Sequence, residues 1–149
     1  MWLLEVYEVI GTGGLSSIDI APQAPCVDSA LVCIGHPGSE DLEASTSGIA
    51  TDYDVLEISS GRFRGLANGQ DPQDNSEIGA LQHDCWTYWG QSGAPLIDGQ
   101  GRLIGLHSSW DDETGMRRGV ALQAVRAFLA EWVYGLEDQC SGKAFCKTE

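Results

Sequence analysis

The sequence predicts an all-β protein, a small barrel or sandwich with one terminal helix packed on it. Three observations predict it. Short apolar runs recur along the chain, each bounded by turn-forming residues. Nineteen glycines supply those turns. Only one segment, near the C-terminus, carries apolar residues at helical spacing.

The elements follow in order. Leu4 and Val6 alternate with Glu5 and Tyr7, which predicts a strand over residues 2–7. A long connection follows, with a short extended piece at Ile18–Ala21. "ALVCIGHPG", Ala30–Gly38, is an apolar run stopped by Pro-Gly and predicts a core strand. "SGIATDYDVLEISSGRFRG" predicts one or two strands with a turn at Ser60-Gly61, and "IGALQHDC" another strand. "APLID" and "RLIGLHS" flank Gly99 to Gly101 and predict a hairpin. "RGVALQ" is a further strand. Leu122, Val125, Phe128, Leu129, Trp132 and Val133 form one apolar stripe, which predicts a helix near 121–134 with Gly135 at its C-cap.

The chain has 149 residues, enough for one domain with a real core. Its net charge of −14 argues against nucleic acid, whose phosphates need basic patches, and against anionic membranes. The apolar N-terminus is broken by Glu5 and Glu8 and reads as neither a secretory signal nor a membrane span. Five cysteines, an odd number, favour free thiols and an intracellular setting. Cys140 and Cys146 could pair in an oxidising compartment. Three scattered histidines give no metal-ligand spacing, so neither metal nor other cofactor is expected.

The chemistry concentrates in "TYWGQSGAPLIDGQGRLIGLHSSW", Thr87 to Trp110, where Ser92 stands between Gly90 and Gly93. A nucleophilic serine needs an exposed hydroxyl on a tight turn, backbone N–H groups aimed at the developing oxyanion, and a base oriented by a carboxylate. Gly90 lets the chain turn so that the N–H groups of Gly90 and Ser92 can converge, and Gly93 leaves room for a substrate carbonyl. The same tetrapeptide also suits an ordinary Gly-Ser turn.

Taken together, "VCIGHPG", "GQSGAPL", "LIGLH", "RRGVAL" and the final helix resemble the C-terminal barrel of chymotrypsin-like serine proteases. The nearest branch holds the glutamyl endopeptidases and the high-temperature-requirement proteases, and the resemblance covers about residues 30–134. It implies a single antiparallel Greek-key β-barrel of six strands within residues 30–122, followed by the helix. It also implies a peptide or protein substrate. Ser92 matches the nucleophile, and Gly90 with Ser92 the oxyanion-hole donors. Gln91 departs from the usual Asn or Asp, and its amide can still bond within the loop.

Thr87 and His107, five before and fifteen after Ser92, match the pair that lines the pocket for an acidic side chain in glutamyl endopeptidases. A hydroxyl and an imidazole can both donate to a carboxylate. Ser108, Ser109 and Trp110 match the strand edge that pairs with substrate backbone, and Gly119 the glycine that keeps the pocket floor open. The alternative for His107 is a strand residue hydrogen-bonded inside the barrel.

His36, His83 and His107 all fall away from the family position of the base. Residues 1–29 read as the last strand of a first barrel plus the interbarrel connection, residues 30–134 as the second barrel with its helix, and residues 135–149 as a polar tail. The aspartate's place would fall at Met1 or upstream, and Asp19 lies too close to "IGHPG" to replace it. Three readings stand at this point. One is the C-terminal part of a serine endopeptidase, inactive alone. The second is a single-barrel pseudoprotease that binds peptides or a partner, with self-association of an exposed half-interface. The third is a different enzyme built on His83, Asp84 and Cys85.

Overall fold

The computed structural model describes residues 17–73 and 78–131. Six strands run β1 Ala30–Gly35, β2 Glu57–Leu66, β3 Leu81–His83, β4 Pro95–Asp98, β5 Leu103–Trp110 and β6 Arg117–Ala121, followed by helix α1, Leu122–Leu129. They close into a barrel in the order β1-β2-β3-β6-β5-β4. Every neighbouring pair is antiparallel. Within that ring β4 returns to lie beside β1, giving the spatial order 4-1-2-3 of a Greek key. The expected six-stranded barrel is therefore the observed fold.

The core follows from alternation along each strand. Leu31 and Cys33 of β1, Phe63 of β2, Leu81 of β3, Leu96 of β4 and Ile104 of β5 meet inside, and Leu122 of α1 closes one end. The connection before β1 is stitched to this body. Ile20 forms a parallel bridge to Leu103, Ala21 N–H donates to the Leu103 carbonyl, and the Arg126 guanidinium of α1 caps the Ala21 carbonyl. The β4–β5 hairpin is locked by Asp98. Its carboxylate takes the N–H groups of Gln100 and Arg102 and both arms of the Arg102 guanidinium. Burial raises this carboxyl's pKa, but those donors outweigh it and hold it below the ordinary value.

The sequence signal at Ser60-Gly61 misleads. β2 runs unbroken through both residues. Gly61 marks instead a close approach of backbone to backbone. A Cβ there would sit 2.6 Å from the Asp84 carboxylate and 2.7 Å from Cys85 Cα. Asp84 is gripped from the same strand by the Arg62 N–H and the Arg64 guanidinium, so both arginines serve the sheet's outer face. The helix matches its predicted start. Trp132, Val133 and Gly135 lie outside the described residues, as do the predicted strand 2–7 and Cys140 and Cys146.

Gly61→Ala is expected to destabilise the barrel by about 2–4 kcal/mol, because the β2–β3 seam must open to admit a methyl group. Urea unfolding of the two proteins checks it. An unchanged midpoint would mean that this seam is slack.

Candidate active site

The loop from Thr87 to Ala94 joins β3 to β4 and is held from three sides. Gly90 and Gly93 adopt φ of 95° and 91°, a region costly for any other residue. Gly90 also lies flat against the "GHPG" turn. A Cβ on it would be 2.9 Å from Gly38 N and 3.1 Å from the His36 carbonyl oxygen. Gly38 N–H donates to the Trp89 carbonyl at 2.6 Å, tying the two turns together. On the far side, Gly93 N–H donates to the His107 carbonyl and His107 N–H to the Ala94 carbonyl.

Gln91 fills the space beneath the loop and is 1% exposed. Its Oε1 accepts the Tyr88 N–H at 2.6 Å, so the longer amide does bond within the loop. Its Nε2 is buried without a partner among the described residues. The Gln91, Gly93 and Ala94 N–H groups all serve carbonyls of Tyr88, His107 and Gln91. No acceptor among the described residues takes the N–H of Gly90 or Ser92. Ser92 itself is exposed, and its hydroxyl donates to the Ser108 carbonyl at 2.7 Å.

Besides a cleft of about 420 Å³ that runs from Ile34 to His36 along the serine loop, a pocket of about 90 Å³ opens beside Ser92. It is lined by Thr87, Gly90, Ser92, His107, Ser108, Ser109 and Trp110, all anticipated from the sequence, and by Tyr88 and Trp89, which were not. Gly119 is not in its wall. It pairs with His107 across β5 and β6, where a Cβ would lie 2.6 Å from the Leu106 carbonyl oxygen. Its lack of a side chain serves strand packing behind the pocket.

Sequence reasoning also missed His83 as a partner. His83 is fully buried, and its Nε2 lies 3.1 Å from His107 Nδ1, with the rings edge to face. The other nitrogen of His83, Nδ1, is buried without a partner. A bare ring nitrogen tolerates that better than a stranded N–H does. The shared proton is therefore assigned to His83 Nε2 and donated to His107, whose own proton then sits on its Nε2. Burial, then the neighbouring His107 and Arg117, push His83 down to about 3. Burial pushes His107 down to about 4, against an upward pull from the Arg118 backbone carbonyl and with a further push from Arg117. Both rings are neutral at pH 7.

The remaining groups are engaged elsewhere. The exposed His36 ring bonds the Val55 carbonyl through Nδ1 at 2.6 Å. Asp84 is committed to Arg62 and Arg64, and Cys85 is fully buried with its thiol pushed up to about 12, chiefly by burial. A thiol in that state is a poor nucleophile, so the Cys85 reading fails. Among the described residues no three metal-ligating side chains come together.

A Greek-key barrel carrying an exposed serine between two positive-φ glycines, beside a small pocket, is the architecture of a trypsin-type peptidase domain. The chain matches the trypsin-like peptidase domain family over residues 3–106 and belongs to it. No curated protein matches it. Among solved structures it is similar to the active form of the Rv3671c protease from M. tuberculosis, with 19% identity and a TM-score of 0.52 over 76% of this chain and 46% of that one. It is likewise similar to an inactive form of the Rv3671c protease, with 18% identity and a TM-score of 0.53 over 76% and 54%. At these identities the likeness concerns the fold. The chain spans about half the length of these solved chains.

The histidine pair sets a pH dependence. Both folded-state values lie below the ordinary value of 6.5, so the unfolded chain binds more protons and stability rises with pH. This contribution is complete above about pH 6.5 and is lost as pH falls toward about 4. Between about pH 7 and pH 5 each histidine should cost the barrel about 2 kcal/mol, about 4 kcal/mol for the pair, while most carboxylates stay ionised. Thermal melts at the two pH values check this, and His83→Gln should roughly halve the dependence. A flat profile in the parent would mean that the pair stays hydrated.

Proposed function

We propose that this barrel is the substrate-binding part of a serine endopeptidase, with Ser92 as nucleophile and the N–H groups of Gly90 and Ser92 as the oxyanion hole. The observation that carries this reading is convergence. The serine hydroxyl, two uncommitted N–H groups and the Ser108–Trp110 strand end all border one pocket. The N–H groups would bind the oxyanion of the tetrahedral intermediate, where their alignment costs no reorganisation. Substrate backbone would pair along Ser108 to Trp110 and displace the Ser92 hydroxyl from the Ser108 carbonyl.

The pocket suits a short acidic side chain. It holds about 90 Å³, open to solvent on one side, with Thr87 and His107 in its wall. Thr87 offers a hydroxyl, and the His107 N–H left after the bond from His83, drawn toward the Arg118 carbonyl, would turn from it to the carboxylate. A carboxylate beside His107 favours the imidazolium, so substrate binding would draw in a proton, His83 passing its Nε2 proton to His107 Nδ1 and taking the incoming one on its own Nδ1, and turn this contact into a charge-assisted bond.

The base is the missing partner. All three histidines are accounted for, and none bonds Ser92. A backbone carbonyl cannot take the serine proton, so a catalytic imidazole and its carboxylate would come from outside these 149 residues. Leu42, Ile49, Val55, Leu56 and Ile58, exposed on the β1–β2 connection and β2, offer apolar surface for such a partner domain or a second copy. The same observation favours a second reading, a peptide-binding pseudoprotease.

Alone, the chain should label slowly with a fluorophosphonate and show no hydrolysis above a Ser92→Ala control. Rapid labelling lost in Ser92→Ala would place a working base within the chain. Peptides ending in Glu, Gln or Leu, titrated by calorimetry, separate the specificities. Glu is expected to bind roughly tenfold better than Gln, with the advantage lost in His107→Leu. Equal binding of all three would leave His107 as a strand residue only.

A further inference from the structure

Two large rings at the pocket mouth have no part in the chemistry above. Trp89 comes from the serine loop and Trp110 from the end of β5. Both line the pocket, and their centroids lie 6.1 Å apart at 69°, edge to face. Trp89 remains 50% exposed and Trp110 39%. Two tryptophans brought together by the fold and left open to water form a ready-made contact surface.

We propose that Trp89 and Trp110 form a subsite for a cationic side chain, lysine or arginine, carried by the same peptide a few residues from the one in the pocket. The proposal rests on reading that pocket as a peptide groove. Tryptophan is the best aromatic partner for a cation, and arginine can also stack on it. The charge around the pair fits. Asp111, Asp112 and Glu113 follow Trp110 directly in the β5–β6 hairpin. Asp112 and Glu113 are exposed and join no ion pair among the described residues. Asp111 caps the hairpin through the N–H groups of Glu113 and Thr114 and reaches Arg118 at 3.5 Å.

Of the two cations on the other arm of the hairpin, one is buried and one half-buried. Arg118 is 4% exposed and held by the Gly79 carbonyl and Gln70. Arg117, opposite Trp110, has its Nε buried and one Nη on the Gly115 carbonyl. The exposed charges beside the rings, Asp112 and Glu113, are both negative, within a chain whose net charge is −14. That field repels an acidic peptide and attracts a basic one. A cation near the acidic residue lets one peptide satisfy both the pocket and the field.

The test uses the full chain and capped tetrapeptides of Arg-Ala-Ala-Glu type, with arginine at each of the three positions before Glu. Each is compared with its citrulline and leucine counterparts. Citrulline keeps the shape and removes the charge. Binding is read from the indole N–H signals of the five tryptophans, assigned with Trp89→Phe and Trp110→Phe. At one position arginine should bind about threefold to tenfold tighter than citrulline and shift the Trp89 and Trp110 signals. The ratio should shrink with added salt and fall to about one in Trp89→Ala and Trp110→Ala. Equal binding of arginine and citrulline at every position overturns the subsite and leaves the pocket standing. A preference for leucine overturns it in favour of an apolar subsite. Failure of every peptide to bind overturns both the subsite and the peptide groove.

Discussion

Two backbone hydrogen bonds carry the site. Gly93 gives its N–H to the His107 carbonyl, and His107 gives its own to the Ala94 carbonyl. They fasten the serine loop to β5 at the one residue that also pairs with Gly119 of β6 and touches the His83 ring of β3. Ser92 therefore takes its position from three strands at once. The "GHPG" turn secures the opposite side through Gly38 and Trp89. The loop is short and glycine-bearing, yet it is clamped at both ends. That is the usual requirement for a reactive group on a turn, whose own residues lack the stiffness to aim it.

Burial decides the electrostatics of the pocket. His83 and His107 are imidazoles in an interior that disfavours charge, with the Arg117 cation close enough to push both down. A neutral His107 is a modest hydrogen-bond donor until a carboxylate arrives. The pocket thus carries no standing charge to be matched. It would acquire one together with its ligand. Thr87, also buried, adds a hydroxyl whose orientation is free to follow.

Much of this was legible from the sequence, for identifiable reasons. Strand alternation, apolar runs bounded by turns and the Gly99–Gly101 hairpin signal mark most of the strands, since these are local signals. The glycines around Ser92 announced a backbone that other residues could not adopt. The turn at Ser60-Gly61 was misplaced because a glycine within a strand and a glycine at a turn look alike in one dimension. Only the approach of Cys85 distinguishes them. His83 lay in view as a strand residue, but its partner stands 24 residues away and the contact depends on barrel closure. Trp89 was passed over because its exposure depends on which way the loop faces.

The Greek-key order also governs when the site can exist. β4 must reach back to β1, and the loop that carries Ser92 lies between the crossover from β3 and that late pairing. Its supports come from residues 36–38 and from His107, on either side of it in the chain. Such non-local pairing forms slowly compared with a hairpin. A partly folded chain, or one still emerging from synthesis, can hold the hairpin of β4 and β5 without the serine loop being clamped. The geometry around Ser92 is a property of the closed barrel alone, and in a nascent chain that serine is held by nothing.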